Sequence, residues 1–172
     1  MNLTRLLLSS AALFALAACN ASPSQAPVSP SAPGTDNGVS APAEGMSDTE
    51  IQTLVQNYQS FPALNEELKR SGTHENMMVR TYLDPTAMAA FNSQSYPYAN
   101  GTEIVKQGHK TADGPVEALF IMKKIAGYDP ENGDWFYAMT NGDGMVGDKG
   151  RIQMCISCHG AVRSKDFVYG FE

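Results

Sequence analysis

Residues 116–140, VEALFIMKKIAGYDPENGDWFYAMT, hold two runs of strand-forming residues on either side of a turn-rich connector, DPENGD at 129–134. β-Branched and aromatic side chains fit a pleated surface, whereas Pro, Asn and Gly interrupt it. The segment therefore predicts two strands that return on each other antiparallel. Upstream, TEIVKQGHK (102–110) follows the turn signal YPYANG (96–101) and predicts another strand, and MMVRTYL (77–83) predicts one more. That run stops at DPTAMAAF (84–91), where Asp84 suits an N-cap and Pro85 the first helical position. Earlier still, SDTEIQTLVQNYQSF (47–61) opens with Ser47 and, three residues on, Glu50, the frame of a capping box. Ile51, Leu54, Val55 and Tyr58 follow at helical spacing. Pro62 and the polar run NEELKRSGTHEN (65–76) predict a short helical turn and a loop. The order is N-terminal helices, then a small, mostly antiparallel β-sheet, then a short C-terminal helix with two cysteines, an α+β domain.

That domain occupies residues 47–172, enough for one core and not two. Residues 1–18 are expected to be a signal peptide, with charge at Arg5 and an apolar run, LLLSSAALFALAA (6–18), too short to span a membrane comfortably. LAAC (16–19) resembles the bacterial lipobox, in which cleavage leaves the cysteine first for lipidation, so Cys19 is expected to be a membrane anchor. Acyl chains tether stably when more than one is attached, each buried methylene contributing about 0.8 kcal/mol. Asn20 follows rather than Asp. By resemblance to such lipoproteins, this implies a periplasmic domain held at the outer membrane rather than the inner. Residues 19–46 carry that cysteine and a linker with half of the chain's ten prolines, no aromatic residue and, before Met46, only small apolar ones. Such a segment has too little to bury and is expected to be a disordered tether. The formal net charge of −6, without a basic stripe, argues against a nucleic-acid partner.

Of three cysteines, the lipobox takes one, which leaves Cys155 and Cys158 in QMCISCHGAV (153–162). Cys155-Ile156-Ser157-Cys158-His159 is the frame in which two thiols add across the vinyl groups of one covalent haem c while the adjacent histidine reaches the iron. One helical turn sets both sulfurs along one edge of the porphyrin and His159 beneath the metal. Three other readings exist. A redox dithiol would want a βαβ setting and gives His159 no task. A zinc site would need a second pair of ligands, and only His74 and His109 remain as histidines. A disulfide would close a tight loop with little to cross-link.

With these pieces in order, VRTYLDPTAMAAF, YANGTEIVKQG, ENGDWFYAM and CISCH, the chain resembles the cytochrome P-460 family, which includes the cytochromes c′-beta. The resemblance runs from about Ser47 to the haem motif and implies a small antiparallel sheet packing one haem, often in a homodimer. In hydroxylamine-oxidising members a lysine is also bonded to a meso carbon of the porphyrin, and by motif position it corresponds to Lys106. Independently, Ile104 and Lys106 share one side of an alternating strand, so a core-facing Ile104 would bring the amine inward. There a covalent bond or a haem propionate would offset its burial; the alternative is an edge lysine with its head in solvent. Arg80 matches a pocket arginine of the family and would pair with a propionate or stay solvated. The family's distal carboxylate, which relays protons, falls at Leu119 or Phe120; Glu117, on Leu119's side of the strand, is the nearest replacement.

His74 and His109 are alternative sixth ligands, each otherwise a surface histidine. Met145 and Met154 are alternative Met ligands, while Met77, Met78, Met122, Met139, Trp135 and Phe136 are expected in the core. The expected function is a mono-haem c-type cytochrome with an open distal iron position and redox chemistry on hydroxylamine or nitric oxide. Its expected partners are that small ligand, a redox partner protein and the membrane. Gas binding without turnover, in the manner of the c′-beta members, and plain electron transfer are the alternatives.

Overall fold

Ser47 opens the first helix as the capping box requires: the Glu50 N–H donates to Ser47 Oγ (3.3 Å) and the Ser47 N–H donates to Glu50 Oε2 (2.8 Å). This is helix α1, Asp48–Asn57, in a computed structural model that describes residues 43–170. The expected signal peptide at 1–18, the lipidated Cys19 and the linker as far as residue 42 lie outside the described residues. Ile51 and Leu54 form the buried stripe of α1. Each stabilises the fold by roughly 1.5–3 kcal/mol through burial alone.

Six strands follow: β1 (Lys69–Arg70), β2 (Met78–Leu83), β3 (Glu103–His109), β4 (Ala118–Lys124), β5 (Trp135–Asn141) and β6 (Val146–Gly150). They form one sheet in sequence order with every neighbouring pair antiparallel. Helix α2 (Pro85–Ser93) interrupts the meander between β2 and β3. Asp84 caps it through Oδ1, which accepts from the Thr86 and Ala87 N–H groups, while Oδ2 accepts from the Glu103 N–H and ties the helix to β3. The sequence reading missed β1 and β6. β1 has two residues, and β6 is an exposed edge read from GDKG, which carries no apolar alternation. The predicted helical turn before β2 is a single 3₁₀ turn, His74–Asn76.

Register assigns each residue to a face. The rows Tyr82–Val105–Ile121–Ala138 and Arg80–Gln107–Leu119–Thr140 alternate with the rows Thr81–Lys106–Phe120–Met139 and Leu83–Ile104–Met122–Tyr137. Apolar members of the first two rows form one core with α1, in which Ile51, Leu54, Tyr82, Val105, Leu119, Ile121 and Phe136 meet. The fourth row forms a second core with Ala87 of α2 and with Ile156, Phe167 and Val168 near the carboxyl end. Trp135 and Phe136 are both core, one on each face, as expected.

Helix α3 (Gln153–His159) carries the cysteines and runs into a 3₁₀ turn, Gly160–Lys165. The chain then returns to the sheet at Phe167, whose ring lies where any side chain at residue 133 would be. A Cβ on Gly133 would stand 2.5 Å from Phe167 Cε2, and Gly133 has φ +72°. Asp166 fastens the return: its Oδ2 accepts from Lys124 Nζ (2.5 Å) and from the Tyr98 N–H (2.8 Å), and its carbonyl accepts from Trp135 Nε1–H (2.9 Å). Removing one partner of such a buried pair typically costs about 3–5 kcal/mol.

Candidate functional site

On the side of the sheet away from α1 the packing stops short and leaves a cavity of about 370 Å³. That is within the 300–1,000 Å³ or so usual for ligand pockets. Its walls include Ile104, Lys106, Phe120 and Met122 from β3 and β4, Tyr137 and Met139 from β5, and Cys155, Cys158 and His159 from α3. Both thiols are free and half-buried. Burial pushes the Cys155 thiol up, and the neighbouring Cys158 adds to this. Spacing along one helical turn thus brings the motif to the void as a unit.

His159 is buried, with the Tyr137 and Tyr169 rings each centred 5.5 Å from its own. Its Nδ1 lies 2.7 Å from the Phe167 carbonyl. A carbonyl only accepts, so Nδ1 carries the hydrogen and Nε2 keeps its lone pair. This is the usual support for a metal-ligating imidazole. Burial holds the ring below the ordinary imidazole range; the Phe167 contact opposes this and Lys106 adds to it. The Gly133–Phe167 contact and the Asp166 fastening hold that carbonyl in place.

Lys106 lines the same cavity, on the side of β3 shared with Ile104. Among the described residues its amine has no hydrogen-bond or ion-pair partner, and burial lowers it from 10.5 to about 8, with Cys158 acting in the opposite direction. Arg80 and Glu117 are not brought to the cavity. Arg80 stands in the Leu119 row, facing α1, and its Nη2 donates to the Glu66 carbonyl. Glu117 sits one position before β4 with the parity of Leu119, and its carboxylate pairs with Lys110 at 3.1 Å. A pleated strand sends residues two apart to the same face, so Phe120, not Leu119, occupies the cavity wall and Glu117 cannot reach it.

The two other histidines separate. His109 is buried with both nitrogens committed: Nδ1–H donates to the Gly114 carbonyl (2.8 Å) and Nε2 accepts from Gln107 Nε2 (2.6 Å). It is available neither as a sixth ligand nor to zinc. His74, weighed as a sixth ligand or else a surface histidine, lines the cavity and packs edge-on against Phe120 with ring centres 4.5 Å apart. Met145 is exposed and away from the cavity, whereas Met154 is exposed at its margin.

These residues fit a haem. The donor set is two thiols and an imidazole with a bare Nε2. The wall is largely apolar, and two buried hydroxyls that line it, Thr81 Oγ1 and Tyr137 OH, have no hydrogen-bond partner among the described residues. Buried polar atoms are rarely left unpaired. An antiparallel sheet whose open face gathers this motif around a void defines a haem-binding domain. The family model described as Cytochrome P460 matches residues 55–170, and the chain belongs to that family. It is therefore a cytochrome, and haem is the cofactor the family implies. No curated protein matches the chain.

Proposed function

We propose that this chain is a periplasmic mono-haem c-type cytochrome, tethered by lipid at Cys19, that carries out redox chemistry on hydroxylamine or nitric oxide. The observation that carries the reading is the convergence of both thiols, the bare Nε2 of His159 and the unpartnered amine of Lys106 on one cavity. When bound, the haem supplies a one-electron iron couple and an axial position for a small ligand. Cys155 and Cys158 are its covalent tethers: each S–H adds across a vinyl group, sulfur to one carbon and hydrogen to the other, with nothing lost. His159 is the proximal ligand. Lys106, which lines the same cavity, would hold the haem as a covalent partner or as the counter-ion of a propionate. The covalent form exchanges an N–H and a C–H for a C–N bond and passes two electrons and two protons to an external two-electron oxidant.

Intact-mass measurement of the purified protein tests this. The expected product is the lipidated chain beginning at Cys19 plus one haem that survives denaturation, lighter by two hydrogens where the Lys106 bond has formed. Protein matured with haem-attachment machinery yet carrying two free thiols would overturn the reading. Gas binding without turnover is the second reading. It is favoured by one observation: Glu117 is on the far side of the sheet, and among the described residues the only carboxylate at the cavity, Glu75, is exposed at its margin. Oxidising hydroxylamine releases protons with the electrons, and an apolar wall does not accept them. Incubation with hydroxylamine and an electron acceptor separates the two, since a binder consumes neither.

A further inference from the structure

His74 is an imidazole at the cavity to which neither the haem motif nor the proposed function gives a task. It sits on the turn before β2, where His74, Glu75 and Asn76 have φ of 51°, 56° and 60°. Three successive non-glycine residues in the left-handed region are costly, on the order of 1–3 kcal/mol each, and such strain persists where the surrounding structure imposes it. Here the turn delivers an imidazole over Phe120. Gly108 makes room beneath: a Cβ there would stand 3.3 Å from Phe120 Cε2 and 2.7 Å from Met77 Sδ, so the ring that supports His74 rests against bare backbone.

The orientation of the imidazole is also held. Its Nδ1 lies 2.9 Å from Thr73 Oγ1 and 3.1 Å from Ser71 Oγ, and the two hydroxyls are themselves 3.1 Å apart. Among the described residues Nε2 has no hydrogen-bond partner. A hydroxyl both donates and accepts; in the tautomer in which Ser71 or Thr73 donates to Nδ1, the ring hydrogen sits on Nε2, the nitrogen facing the cavity, and this is the tautomer proposed here. Burial, with Lys106 and His159 adding to it, lowers the imidazole to about 3, so the ring is neutral in ordinary buffers. The two imidazoles come from different walls: His159 from α3 beside Tyr137 of β5, His74 from the β2 turn against Phe120 of β4.

We propose that His74 is the distal hydrogen-bonding residue of this cytochrome, its Nε2–H donating to a small anionic or polar ligand held at the haem from the Phe120 wall. This rests on the haem reading above and assigns to an imidazole the polar contact that Glu117 cannot make. Thr73 and Ser71 are positioning residues, acting through Nδ1.

Fluoride binding to the ferric holoprotein tests it, because fluoride accepts a strong hydrogen bond and is read from the optical spectrum without turnover. His74→Leu should raise the fluoride dissociation constant about tenfold or more, the scale of one hydrogen bond to a charged acceptor. His74→Gln, which restores an N–H donor, should recover most of that loss. A His74→Leu constant within about twofold of the wild type would overturn the proposal. So would a low-spin ferric wild type that becomes high-spin in His74→Leu, since the imidazole would then be the iron ligand itself. Wild-type protein that loses its haem on denaturation ends the covalent-haem reading and is seen before any His74 variant is made. A wild type that keeps its haem and binds fluoride independently of residue 74 ends only the assignment of His74.

Discussion

The two faces of this sheet are built from the same alternating strands and are put to different uses. Toward α1, the apolar members of the alternating rows meet the helix and the space is filled by Ile51, Leu54, Val105, Leu119 and Ile121. Toward α3, the intervening residues surround a void and include an amine without a partner, two hydroxyls without partners and two imidazoles with a free nitrogen. Filled packing stabilises; unfilled polar packing costs free energy until something occupies it. The α1 face makes the fold, and the α3 face leaves the space that the family's cofactor requires.

Breaking the cavity face at its covalent end should give the largest effect. Cys155→Ser with Cys158→Ser should abolish haem that survives denaturation, measured by intact mass, because no other thiol lines the cavity. Truncation on the other face should separate stability from the site. Ile51→Ala removes a fully buried side chain and should cost about 2–5 kcal/mol in denaturant unfolding, while folded protein keeps the wild-type haem spectrum. An altered spectrum with unchanged stability would invert the assignment of the two faces.

Lys106 gives a smaller, pH-dependent effect. Its amine is lowered in the folded protein from 10.5 to about 8. Between those values the unfolded chain binds the proton and the folded chain does not, so stability rises with pH. Below about 8 both states are protonated and the full cost of the buried charge is present, roughly 3–4 kcal/mol. In haem-free Cys155→Ser, Cys158→Ser protein, adding Lys106→Met should therefore raise stability most at pH 7 and progressively less toward pH 10.5. An increment that does not change with pH would show that the amine reaches solvent. The smallest effect belongs to Glu117→Gln, which removes an exposed pair with Lys110. It should shift stability by less than about 0.5 kcal/mol and leave fluoride affinity unchanged.

Much of this was legible along the chain because the signals are local. The Ser47–Glu50 capping box, the Asp84–Pro85 helix start, the strands around DPENGD and the Cys155–His159 frame each lie within a few residues, and each forms where it was read. Ile104 and Lys106 also share a side as alternation requires. Arg80 and Glu117 mark where that reasoning ends. Alternation sorts a strand into two sets but does not say which set meets the helix and which the cavity, and a slip of one residue exchanges them. His74 was harder still: nothing in THEN marks a turn with three left-handed residues, and the only local hint was a histidine beside Ser71 and Thr73.

The amino-acid sequence by itself determined the elements, their antiparallel order and the presence of a haem motif, because capping, alternation and one-turn spacing are properties of neighbouring residues. Only the tertiary structure decided which row of side chains faces the void, that His109 spends both nitrogens on its own strand and loop, and that His74 enters the cavity. Those outcomes depend on packing between segments far apart in the chain, and no local pattern records which face a distant helix will cover.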